Sequence, residues 1–163
     1  MWRRRERSPR ATTRARLLPA HAGLVAGTSA WTTLDQARID AFAHATGDTQ
    51  WLHVDAGRAA AGPYGSTVAH GLLLLALLPG LAAEVLTVDD AAARINYGID
   101  RVRFPQAVRA GGRVRDHVSI ERAEERADGR GVLAHLAHRL ELEGAEAPAC
   151  VAVTLTLFTR ETS

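Results

Sequence analysis

Lysine is absent from the 163-residue chain, so all twenty basic residues are arginine. Walker-type phosphate loops, Schiff-base catalysis and Ser–Lys dyads each need an ammonium group, and one absence removes all three. Cysteine is nearly absent as well. The single Cys150 cannot close an intramolecular disulfide or supply a thiolate zinc pattern, which fits a reducing cytosol. No long apolar run is present either. The stretch that starts at Leu72 reaches only Ala83 and is interrupted by Pro79, short of the ~20 residues a membrane span requires.

A pI of about 9.3 would suit a nucleic-acid partner, yet the charge is uneven. Residues 1–16 hold seven Arg and one Glu, a net of +6 within a chain total of +2, which leaves residues 17–163 at −4. The body is therefore mildly acidic and has no basic stripe to track phosphates, so no nucleic-acid partner is expected. The arm lacks the apolar h-region of a signal peptide. The expected organisation is an Arg-rich, disordered arm over residues 1–22 and one domain over 23–163. A chain of this size buries roughly 68–70% of its unfolded surface without staples.

What is present begins with a helix signal in "WTTLDQARIDAFAHATG". Thr33 and Gln36 form a T-x-x-Q capping box, Ile39, Phe42, Ala43 and Thr46 share one face, and Gly47 is a C′ stop. A loop with one helical turn near Arg58 to Ala61 follows. "VAHGLLLLALLPGLAAEVL" is apolar all round, the pattern of a helix buried on every side, which Pro79 is expected to kink or end. The remainder reads as strands. "RINYGIDRVRF" is closed by Pro105, Val114, Val118 and Ile120 alternate, and Val132, Ala134, Leu136, Leu140 and Leu142 share a face before "ACVAVTLTLFTR". Long antiparallel strands and one buried helix describe an α+β fold with the sheet curled around that helix.

Seven histidines offer sites. His135 and His138 look like a metal pair, but an offset of three on a strand puts them on opposite faces. Ser66 lacks the flanking glycines of a nucleophile elbow, and Cys150 reads as an inert buried thiol. "FAHATGDTQWLHVD" is different, because Asp48 and His53 lie in one loop after a stopped helix, with Trp51 between them to pin the loop. Packing of that kind suits a general acid–base pair. On spacing alone, a turn-capping Asp48 with a satisfied loop histidine is the favoured reading. Further on, "GSTVAHGLLLL" puts His70 and Gly71 at the start of the apolar helix, where unpaired N–H groups can stabilise an oxyanion. Gly71 could equally serve only to let the helix pack closely.

Taken together, "FAHATGDTQWLHVD" and "GSTVAHGLLLLALLP" resemble the hydratase motif of the MaoC-like, (R)-specific enoyl-CoA hydratases. Gln50, Trp51, Leu52 and His53 match the nodulation-protein-N-like branch, as do "INYGIDRVRFPQAVRAGGRVR" and "APACVAV", over about residues 23–158. The resemblance implies a hotdog fold, a long antiparallel sheet wrapped around a central helix, pairing edge to edge as a homodimer. It places the catalytic Asp on Asp48, the catalytic His on His53 and the thioester-facing N–H on Gly71. Gln50 stands where the family carries Asn, and Ala107 and Arg109 where relatives often carry Pro.

The implied reaction is reversible syn hydration of trans-2-enoyl thioesters to (R)-3-hydroxyacyl thioesters in the cytoplasm. It uses an acyl-CoA or acyl-carrier-protein substrate and no metal, redox cofactor or membrane. Arg58, Arg101 and Arg103 are candidates for the nucleotide phosphates or for structural ion pairs. A hotdog thioesterase, or a silent subunit of a heteromeric acyl-carrier-protein dehydratase, are the alternatives.

Overall fold

The computed structural model describes residues 11–160. Residues 1–10 of the Arg-rich arm lie outside the described residues. The rest of the arm does not lie loose. Ala11–Thr13 forms β1, and a 3₁₀ helix over Ala15–His21 puts Ala15 and Leu18 wholly out of solvent. The polar composition of the first sixteen residues hides this, because the arm's anchors are the apolar side chains that end it.

Short strands β2 (Val25–Thr28) and β3 (Thr32–Leu34) lead into α1 (Gln36–Thr46). Gly47 ends α1 at φ 77°, the left-handed conformation that glycine adopts without penalty, with its N–H on the Ala43 carbonyl. The N-terminus differs from the expected capping box. Thr33 is in β3, and the cap is Asp35, whose carboxylate accepts from the Arg38 N–H at 2.9 Å. That frees Gln36 for another task described below.

Two short helices, α2 (Trp51–Val54) and α3 (Ala56–Ala60), carry the chain to α4 (Gly71–Val85). α4 continues through Pro79 to Val85 instead of stopping there. A helix-interior proline costs about 3 kcal/mol or more. Burial of Leu78, Leu81, Ala82 and Val85 around it offsets that, at roughly 1.5–3 kcal/mol for each large side chain. Nor is α4 buried on every side. Leu73, Leu74 and Leu78 face the core, whereas Leu72 is 59% exposed.

After β4 (Leu86–Val88), which pairs in parallel with β1, come the four long strands β5 (Ala93–Arg103), β6 (Gly112–Glu125), β7 (Gly131–Leu142) and β8 (Cys150–Thr159). The main sheet is antiparallel in the order β2-β6-β7-β8-β5, with β3 also on β6. Alternation buries Val114, Val118 and Ile120 on β6 against α4, as expected from the pattern. A long antiparallel sheet packed on one helix is the α+β hotdog arrangement. β5 forms the sheet's edge and leaves Ile95, Tyr97 and Ile99 45–56% exposed.

Candidate active site

The loop between α1 and α4 is fastened at several points. Trp51 packs on Gly62, where a Cβ would come within 3.1 Å of the indole, and Arg58 lies over the ring with its Cζ 4.4 Å from the centroid. Trp51 thus pins the loop as expected, and Arg58 is engaged in holding it. Gln36 ties the loop to α1. Its amide donates to the His53 carbonyl and to Asp40 Oδ1, both at 2.7 Å, while its Oε1 accepts from Thr67 Oγ1 at 2.5 Å. The Val68 N–H in turn donates to the Leu52 carbonyl, and the Ala69 N–H to Val108 on the far side.

This fastening fixes the tautomer of His53. Its Nδ1 lies 2.6 Å from the Val68 carbonyl oxygen, and a carbonyl can only accept, so Nδ1 carries the proton. In the neutral ring Nε2 is then left with a lone pair, the state a general base needs. His70, the N-cap residue of α4, is almost wholly buried and donates from Nε2 to the Asp48 carbonyl at 2.9 Å. The two imidazoles stack with centroids 3.6 Å apart and planes 23° from parallel, and Phe42 lies 5.1 Å from His70. His70 therefore orients both the loop carbonyl at Asp48 and the ring of His53. His70 Nδ1 is buried and has no hydrogen-bond partner among the described residues.

One carboxylate oxygen of Asp48 and one ring nitrogen each of His53 and His70 lie within 4.8 Å of one another. A water shared between a carboxylate and an imidazole fits such a separation, since each hydrogen bond spans about 2.7–3.0 Å. A divalent cation fits the donor set poorly. The two rings are stacked 3.6 Å apart and only 23° from parallel, so their remaining nitrogens lie in separate planes that do not meet at one centre. Asp48 itself is exposed and His53 half-buried, so the pair opens to solvent and to substrate.

Beside the pair is a cavity of about 470 Å³, lined among others by Leu52, His53, Tyr64, Gly71, Leu74 and Phe104. Gly71 is the first residue of α4, whose opening N–H groups have no partner within the helix. A Cβ at Gly71 would come within 2.8 Å of the Phe104 ring. The close-packing account of this glycine is thus correct as far as it goes, and Gly71 also lines the cavity. His53 thus lies close to Asp48 and shares the cavity wall with Gly71. The role of His70 and Gln36 was not legible in the chain, because their partners are backbone carbonyls 22 and 17 residues away.

Arg101 and Arg103 do not join this site. They line a different cavity of about 380 Å³ that shares no residue with the first, and Arg101 is ion-paired with Glu121 at 3.2 Å. The structural ion-pair account holds for Arg101. His135 and His138 likewise part company, His135 toward Asp100 at 2.8 Å and His138 toward Asp116 at 2.7 Å. Cys150 is buried, and desolvation first, with the Asp116 carboxylate second, pushes its thiol up to about 12, an inert state.

Comparison with known proteins gives a consistent result. The profile of the MaoC like domain matches residues 19–138. The 3-hydroxyacyl-thioester dehydratase Z of Mycobacterium tuberculosis (strain ATCC 25618 / H37Rv) is 46% identical over 141 residues, covering 86% of this chain and 93% of that protein. Nodulation protein N of Rhizobium leguminosarum bv. viciae is 37% identical over 143 residues, covering 86% and 88%. Among solved structures, the unliganded R-hydratase PhaJ1 from Pseudomonas aeruginosa superposes with a TM-score of 0.68 at 21% identity, covering 88% of this chain and 87% of that one.

Proposed function

The chain belongs to the MaoC-like domain family and is a hydro-lyase, and from that premise we propose that it hydrates trans-2-enoyl thioesters reversibly to (R)-3-hydroxyacyl thioesters. The observation that carries this is the meeting of the Asp48 carboxylate and the His53 ring beside a cavity that is also lined by Gly71, the first residue of α4. Asp48 and His53 hold one water. Hydroxide goes to Cβ and the proton to Cα on the same face, which makes the addition syn. The two groups act as one coupled acid–base unit.

Negative charge then builds on the thioester oxygen. The Gly71 N–H, at the positive end of α4, stabilises it. The Phe104 ring packs against Gly71 on one side of the helix end. In the dehydration direction the same pair removes the Cα proton and protonates the leaving hydroxyl.

The substrate is an acyl thioester of CoA or acyl-carrier protein, handled in the cytoplasm. The protein works as a homodimer through the exposed edge β5, the strand whose Ile95, Tyr97 and Ile99 have no cover. The same edge would accept a second MaoC-like chain of different sequence, so a heteromeric dehydratase is the second assembly this surface favours. The presence of both Asp48 and His53 favours an active subunit over a silent one. Asp48→Asn and His53→Gln should each lower kcat on crotonyl-CoA by ~10²–10⁴-fold. Full activity in either variant rules this mechanism out, and release of free CoA in place of hydration marks a thioesterase.

A further inference from the structure

The core contains a second acid–imidazole pair that the mechanism does not use. Asp116 on β6 is wholly buried, and its Oδ2 lies 2.7 Å from Nδ1 of His138 on β7, itself 4% exposed. His138 Nε2 lies 2.9 Å from Thr154 Oγ1 on β8. Three adjacent strands thus contribute one link each to a hydrogen-bonded chain. Packing does not account for it. Apolar residues of similar volume are usually as stable as a buried ion pair or more so. Asp116 Oδ1 also has no hydrogen-bond partner among the described residues, which adds a desolvation penalty. Burial raises the Asp116 carboxyl, and the His138 hydrogen bond opposes that.

The chain of bonds ends at a cavity. Thr154 lines a space of about 320 Å³ whose wall includes Leu72, Leu75 and Pro79 of α4 and Ile99 of β5, with Asn96 as the other polar side chain. Leu72 directly follows Gly71, and Pro79 is seven residues on, about 10 Å along a helix that rises 1.5 Å per residue. The space therefore runs along α4 from the residue after Gly71, and shares no lining residue with the cavity beside His53. It has the length for several chain carbons and a fixed polar atom part of the way along.

We propose that this cavity takes acyl chains bearing a hydroxyl group, and that Thr154, held by His138 and Asp116, selects them; this rests on the acyl-thioester function above. The proton arrangement chooses hydroxyl over ketone. With Asp116 ionised and His138 neutral, Nε2 accepts the Thr154 proton and Oγ1 turns lone pairs to the cavity. With the proton on Asp116, Nε2–H donates to Oγ1 and Thr154 donates outward. A hydroxyl satisfies both states, whereas a ketone satisfies one. A plain chain leaves the threonine oxygen facing carbon.

The test uses saturated acyl-CoAs of one chain length, unsubstituted or with the hydroxyl at successive positions beyond Cβ. Binding is measured by calorimetry, and hydration rates are measured on the matching trans-2-enoyl-CoAs. Wild type should bind at least one hydroxylated isomer roughly tenfold more tightly than the unsubstituted chain. Thr154→Val should abolish that preference and Thr154→Ser should keep it. No preferred isomer in wild type, or an unchanged preference in Thr154→Val, overturns the proposal; the wild-type comparison decides even if the valine variant does not fold. Preferential binding without hydration would sink the hydratase function and leave the selectivity standing, and hydration without preference would do the reverse.

Discussion

An alanine at position 71 would keep the backbone N–H that the mechanism uses, yet its Cβ would lie 2.8 Å from Phe104. Glycine is therefore required there by a neighbour, and the N–H role and the packing role are separable. Gly71→Ala should lower kcat/KM by displacing the Phe104 ring, and adding Phe104→Ala should restore part of the loss. Steady-state kinetics on the two single variants and the double variant check this; a double variant worse than either single would contradict it. The five-residue spacing of Asp48 and His53 in one loop already puts them near each other. Only the link to Gly71 and the family resemblance marked them out from a turn cap and a satisfied loop histidine. His70 was visible only as the neighbour of Gly71, since neither its stacking on His53 nor its bond to the Asp48 carbonyl leaves a mark in sequence. Asp116 did leave one. It interrupts the alternation Val114, Val118, Ile120 on the buried face of β6, and that break marks the polar chain to Thr154.

At the scale of elements, helix and strand periods located α1, α4 and the four long strands, because hydrophobic alternation is a local property. The boundaries were less legible. The capping box on Thr33 was a pattern match that tertiary pairing overrode, for β6 takes residues 32–34 into the sheet and moves the cap to Asp35. Asp35→Ala should accordingly destabilise the protein by about 1 kcal/mol in urea unfolding, and the Thr33 hydroxyl should contribute nothing as a cap. Equal effects from Asp35→Ala and Thr33→Val would contradict this assignment. Pro79 gives the same lesson. Its local preference to end a helix is outweighed by the buried side chains that follow it, a balance that sequence period alone does not show.

At the scale of the whole molecule, the exposed side of α4 and the edge strand β5 form one apolar margin. Long uncovered edges invite pairing, and sequence could not reveal this one, since an edge is defined by the absence of a neighbour in space. Tyr97→Asp with Ile99→Lys should convert the proposed dimer to a monomer by light scattering after size exclusion, and a monomeric wild type would contradict the edge-paired assembly. The 3₁₀ helix that ends the arm belongs to the same scale: Leu18 is legible as apolar, but its burial depends on a sheet built from residues a hundred positions later.

The central claim is that Asp48, His53 and the α4 N-terminus add water across an enoyl thioester on one face. Its most direct measurement is the loss of crotonyl-CoA absorbance in the presence of purified wild-type protein, followed by chiral analysis of the product. The expected product is (R)-3-hydroxybutyryl-CoA without free CoA. Formation of the S product, or CoA release in place of hydration, would contradict that claim.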